Sequence, residues 1–156
     1  MKTTSIGLNV KEADELIVSL NELLANFQIY YQNLRGLHWN IKGKSFFELH
    51  VKFEEFYTDS QEKVDLIAER ILTLGGTPLH TFEEYINLSE VKVGKNIVDG
   101  ENSVKLIVDS LTKLLKLERA ILEKSDEAND EGTNAMMSDF IAEQEKTVWM
   151  LNAWLS

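Results

Sequence analysis

At 156 residues the chain is long enough for one domain, residues 1–156, whose hydrophobic core needs no covalent staples. It contains no cysteine, which excludes disulfides and thiolate metal sites and suits a reducing, cytoplasmic location. Sixteen basic against 26 acidic residues leave a net charge of −10, a balance that repels nucleic acid and anionic membrane and attracts cations. The opening MKTTSIGLNV lacks a basic region followed by an apolar run, so no secretory signal is expected, and no apolar stretch approaches bilayer length.

In chain order, Asn9 followed by Glu12 marks a helix start. Leu16, Leu20, Leu23, Phe27, Tyr31 and Leu34 continue it as a stripe spaced by three and four that reaches His38. Residues 41–44 (Ile-Lys-Gly-Lys) read as a short loop, which makes the next helix antiparallel. That helix is expected from Phe46 to Leu74, opened by a Ser45–Glu48 capping box and closed by Gly75-Gly76 and Pro78. Phe46, Phe53, Phe56, Val64, Ile67 and Ile71 supply its apolar surface. Residues 77–100 form a connection long enough to cross the bundle, with a short helix at Thr81 to Ile86. A third long helix carries Val104, Ile107, Leu111, Leu114 and Leu122, an acidic turn spans Ser125 to Gly132, and a fourth carries Met137, Phe140, Ile141, Val148, Leu151 and Leu155. The fold expected is all-α: a four-helix bundle whose single long crossover makes it ferritin-like.

The second helix carries the chemistry. His50 and Glu54 are four residues apart, as are Asp65 and Glu69, and at ~100° per residue all four project within a sector of about 100°. One chain cannot gather them on one metal, because Glu54 and Asp65 stand roughly 16 Å apart along the axis and His50 and Glu69 roughly 28 Å. An antiparallel second copy, centred on a two-fold between residues 59 and 60, would set His50 and Glu54 opposite the partner's Asp65 and Glu69. Two equivalent sites roughly 22 Å apart result, and His38 at the end of the first helix can complete each. Two imidazoles and three carboxylates without sulfur suit iron or manganese, and zinc accepts them too. The Glu-x-x-His motif of intrachain di-iron bundles is absent, which favours a centre at an interface. Each pair also has a plain reading, as a surface hydrogen-bonded pair or as solvated acids near Lys63 and Arg70.

The segment HWNIKGKSFFELHVKFEEFY…DLIAER, ending in LGG, resembles the Dps family of mini-ferritins, with the strongest similarity from Leu37 to Gly76 and further support from Thr147-Val-Trp-Met-Leu. The resemblance implies a dodecameric shell in which ferrous iron is oxidised, preferentially by hydrogen peroxide, between two-fold-related subunits and stored inside as ferric mineral. Removing both reactants protects against oxidative damage. His38, His50 and Glu54 correspond to one subunit's half of this ferroxidase centre, Asp65 and Glu69 to its partner's, with at most two irons per site. The family usually has aspartate at position 54; the extra methylene moves the carboxylate by roughly 1.5 Å. Trp39 matches a tryptophan beside the centre, either an electron donor or interface packing. Asp126 and Glu131 fall where the family lines a three-fold pore for iron entry, with Asp130 adjacent as a further candidate, although Ala135 replaces an acid often found one helical turn further on, and an ordinary solvated turn is the alternative. His80 matches no ligand position.

Two functions of different class remain beside the ferroxidase: a non-catalytic buffer for iron or zinc using the same ligands, and a helix that only dimerises. Duplex DNA is not an expected partner. Residues 1–8 contain a single lysine, and twelve subunits at −10 each carry about −120 of formal charge. Purified iron-free protein is therefore expected to leave duplex DNA unshifted on a gel at ~0.15 M salt; a band shift that survives that salt would contradict this.

Overall fold

The structure, a computed structural model, describes residues 2–156. Four long helices, α1 (Val10–Asn40), α2 (Phe46–Thr73), α4 (Gly100–Glu127) and α5 (Glu131–Leu155), form the bundle, and the short α3 (Phe82–Leu88) lies in the crossover. Helix α1 starts where expected, the Asn9 side chain accepting from Glu12 N–H at 3.0 Å. The Ser45 capping box does not form: Ser45 has φ −92°, ψ 15° and its side chain makes no cap bond. Gly43 turns the chain at φ 116° instead and its carbonyl accepts from Phe46 N–H at 3.1 Å, so the extended Ncap conformation is never reached. At the other end Gly75, at φ 95°, lets Gly76 N–H reach Ile71 O and Gly75 N–H reach Leu72 O, a Schellman closure. The acidic turn is shorter than expected, because α4 runs to Glu127 and a second Schellman closure on left-handed Asn129 (φ 57°) returns the chain within three residues.

The apolar stripes face the core, but unevenly: Tyr30 and Ile121 are buried beside the expected Tyr31 and Leu122, which are only half-buried, as are Phe46, Phe56, Val64, Ile141, Val148 and Leu155. Helix α1 is covered by α2, α4 and α3 together, so more than one narrow stripe is enclosed, from Leu23 through Phe27 without interruption. Tyr31 sits at the margin of that surface, edge-on to Tyr57 with centroids 6.1 Å apart.

The crossover runs back along α1 and is pinned to it by three asparagines. Asn21 bonds Thr77 O and Leu79 N–H, and Asn33 bonds Lys92 O and Gly94 N–H. Between them, Asn26 Oδ1 accepts from Ser89 Oγ, Glu90 N–H and Val91 N–H. These amides serve backbone groups that have no ladder of their own, as buried polar groups require. The crossover ends with Lys42 N–H on Val98 O, and Gly100 lies against Leu49, so α4 restarts beside the beginning of α2. Lys124 near the end of α4 reaches Ser19 near the start of α1, which makes the two antiparallel.

One polar knot lies inside the bundle. Lys63, 4 % exposed, bridges Asp59 at 2.6 Å and Glu143 at 2.8 Å. Burial pulls its ammonium pKa down, but the two acids more than offset this and hold it above the ordinary lysine range. Burial pushes the Tyr30 phenol up, and Asp59 and Glu118 push it further. Glu118 is fully buried and accepts from Gln144 Nε2, while its second oxygen and Gln144 Oε1 have no partner. Both orphaned atoms are pure acceptors while the carboxyl is ionised, and a proton on Glu118 would give it a donor. Burial accordingly pushes the Glu118 carboxyl up to about 8, against the opposing effects of Gln144, Lys63 and Arg119.

Two outcomes are expected from this frame. In Asn26→Ala, the amides of Glu90 and Val91 should lose about 10-fold or more of their hydrogen-exchange protection, since an unsatisfied buried donor costs about 1–3 kcal/mol; unchanged protection there would remove the pinning role. Glu118 keeps its proton in the folded chain while the unfolded chain releases it near 4.5. Its contribution to stability is therefore lost as pH rises from 4.5 through about 8, at up to about 1.4 kcal/mol per pH unit. Glu118→Gln, which supplies a permanent donor, should erase that slope in denaturation curves measured across the window. Parallel pH profiles for the two proteins would show that Glu118 does not hold the proton.

Candidate metal centre

The short loop between α1 and α2 brings His38 and His50 face to face. Their rings stack with centroids 3.9 Å apart and planes 10° from parallel. Each Nδ1 reaches the other residue's backbone carbonyl, His38 to His50 O at 2.6 Å and His50 to His38 O at 2.7 Å. A carbonyl oxygen only accepts, so each Nδ1 carries its proton, and in the neutral ring the lone pair stands on Nε2. This is the orientation that a metal-ligating imidazole takes when its other nitrogen is held by a backbone carbonyl. Glu54 Oε1 lies 3.6 Å from His38 Nε2, with His38 buried and the Glu54 side chain 59 % exposed. Two flanking rings close the group: Phe46 lies parallel to His50 at 4.9 Å and 15°, and Tyr57 meets His38 edge-on at 5.4 Å and 75°. Sequence spacing alone did not single out either aromatic for this position.

Asp65 and Glu69 lie further along α2, both exposed. Among the described residues neither makes an ion pair. The two cations nearest them in sequence are engaged elsewhere. Lys63 turns inward to Asp59 and Glu143, and Arg70 reaches Asp130 at 2.6 Å and Thr133 at 2.9 Å. Arg70 passes close over Gly132, where a Cβ would stand 2.7 Å from its guanidinium. Among the described residues, no three His, Asp or Glu side chains converge to hold a metal within this chain. The chain brings His38, His50 and Glu54 to one end of α2, and leaves Asp65 and Glu69 unpaired towards the other.

The remaining candidates separate. Trp39 is 56 % exposed and carries the Arg35 guanidinium over its ring at 4.9 Å; Arg35 also lies 5.5 Å from the Tyr31 ring. His80 is exposed, with its Nδ1 3.1 Å from Pro78 O. Asp126 in the last turn of α4 and Glu131 at the start of α5 are exposed, but Asp130 between them is 2 % exposed. Its carboxylate caps α5 by accepting from Thr133 N–H and pairs with Arg70, which removes its charge from the surface. Asp130 is thus a structural acid, while Asp126 and Glu131 keep their carboxylates at the surface. Among the described residues no helix is long and apolar enough to cross a membrane.

Comparison with known proteins adds the following. Residues 17–156 match the ferritin-like domain family. A DNA protection during starvation protein from Porphyromonas gingivalis is 45 % identical over 95 % of this chain and 93 % of its own length. The crystal structure of a Dps protein from Vibrio cholerae O1, described as a member of a broad superfamily of ferritin-like diiron-carboxylate proteins, superposes with a TM-score of 0.98 at 53 % identity, covering 100 % of this chain and 98 % of that one. A Dps protein from Bacillus brevis superposes with a TM-score of 0.91 at 34 % identity over the whole of both chains.

Proposed function

This chain belongs to the Dps family of ferritin-like proteins, and on that premise we propose that it is an iron-storing ferroxidase whose centres lie between two-fold-related copies in a cytoplasmic dodecameric shell. The observation that carries the reading is the unfinished face of α2: two imidazoles poised with Nε2 free at one end, two unpaired carboxylates at the other, and, among the described residues, no complete donor set in one chain. Exposed Phe47, Val51 and Leu72 fall within the same ~100° sector as the four donors. In the antiparallel register centred between residues 59 and 60, Phe47 of one copy meets Leu72 of the other. An apolar patch that also carries the donors is a surface built to be covered.

In the pair, His38, His50 and Glu54 of one copy face Asp65 and Glu69 of the other, an oxygen- and nitrogen-rich set that accepts ferrous iron as substrate. The carboxylates offset the charge that rises as each iron gives up an electron, and the carbonyl-held imidazoles keep their lone pairs oriented without rearrangement. Two ferrous ions supply one electron each to one hydrogen peroxide. Its O–O bond breaks, and with two protons the products are two ferric ions and two waters. Asp126 and Glu131 are the acids proposed to line the iron pore, where like charges around an axis concentrate cations. Consuming iron and peroxide together is the protective outcome.

Stopped-flow absorbance after mixing the assembled shell with ferrous iron and peroxide tests this. Ferric formation should be faster than in buffer alone, and His38→Ala with His50→Ala should slow it by about 10-fold or more. A double variant as fast as the parent would exclude this centre. Tight iron binding without faster oxidation would identify a metal buffer instead.

A further inference from the structure

The imidazoles of His38 and His50 come from two different helices, and each is tied down by a single side-chain hydrogen bond, Nδ1 to a carbonyl. One such bond sets which nitrogen faces the backbone but leaves the ring free to pivot about the N···O line, carrying Nε2 with it. Stacking the two rings on each other restrains the pivot only on their shared side. The structure sets one further aromatic ring against each imidazole. Phe46 lies near-parallel to His50 at 4.9 Å. Two near-parallel rings at these spacings do not fit on one face of an imidazole, which puts Phe46 on the face turned away from His38. Tyr57 stands across His38 at 75° with ring centroids 5.4 Å apart, so that swinging of the imidazole towards it meets the phenol ring.

Resting on the centre proposed above, we infer that Phe46 and Tyr57 are positioning residues of the iron site, aromatic walls that clamp the His38–His50 stack so that both Nε2 atoms stay on the ligand face. Neither residue belongs to the set of fully buried side chains at the heart of the bundle, where Phe53, Ile67 and Ile71 fill the α2 side; both are half-buried at the histidine end. Both also sit on α2, the helix that carries His50, Glu54, Asp65 and Glu69. Phe46 is its first residue, one turn before His50, and Tyr57 lies one turn after Glu54. Tyr57 is itself braced from behind by Tyr31, with ring centroids 6.1 Å apart and planes at 81°. The walls therefore move with the metal donors, and their distance from the rings is set by the helix and by α1. Rigid rings suit this task because they hold a neighbouring ring in a defined geometry, stacked as Phe46 is on His50 or crossed as Tyr57 is with His38, which an aliphatic side chain of equal volume does not.

Cobalt(II), which does not turn over, reads the site separately from catalysis. The assembled shell is titrated with Co(II), following affinity and the visible ligand-field absorption. Phe46→Leu, which keeps apolar bulk but loses the flat face, and Tyr57→Leu should each weaken binding by about 10-fold, the scale at which groups supporting metal ligands act, and should change the absorption band. Phe46→Tyr and Tyr57→Phe, which restore a ring, should recover both. Leucine variants that bind within twofold of the parent with the same spectrum would overturn the inference. A Tyr57→Phe protein as impaired as Tyr57→Leu would overturn it for Tyr57, assigning the effect to the hydroxyl. If Phe46→Leu fails to assemble, the Tyr57 pair decides alone. A His38→Ala plus His50→Ala shell with unaltered Co(II) binding would bring down the centre itself, a result distinct from failure of the walls.

Discussion

The exchange of hydrogen bonds between His38 and His50 is the constraint on which the candidate centre depends. Each imidazole satisfies a carbonyl of the other's helix, so the end of α1 and the first turns of α2 are tied through the side chains that also carry the free Nε2 atoms. A structural tie and a ligand orientation are thus one interaction. The buried ring of His38 is fully accounted for on its Nδ1 side, which is the usual condition for a polar group in an interior.

Helix α1 is the element the rest of the bundle leans on. It buries more of its circumference than its neighbours do because α2, α4 and the crossover all pack on it. The crossover lacks sheet or long-helix bonding, and Asn21, Asn26 and Asn33 stand in for it, fixing where α3 lies and where α4 can restart. Inside, the knot of Lys63, Glu118, Gln144 and Tyr30 contributes polar specificity at the level where four helices meet, with the buried carboxyl holding a proton rather than a charge.

The same inward choices shape the outer face of α2. Lys63 is drawn to Asp59 and Glu143, and Arg70 to the α4–α5 turn, where it neutralises Asp130 and crosses Gly132. Had either cation turned outward, Asp65 or Glu69 would be a routine surface ion pair. Their withdrawal leaves two carboxylates bare among exposed apolar side chains, and it is this combination that gives the face its character as half of something.

Much of this was legible from local sequence. Helix rise is constant, so the four-residue spacings of His50–Glu54 and Asp65–Glu69, their common face and the distance between them follow from the chain alone. Asn9 and Gly75-Gly76 likewise act within one turn of themselves, and the helix ends came out where those residues stand. What the sequence could not determine depends on groups far away in the chain. Ser45 loses its cap to a turn at Gly43, Tyr30 displaces Tyr31 from the core because of what covers α1, and Asp130 leaves the surface because Arg70, 60 residues earlier, comes to meet it. The tautomer that frees each Nε2 was decided only when two helices met, since a ring's second nitrogen takes whatever acceptor the tertiary contact brings within reach.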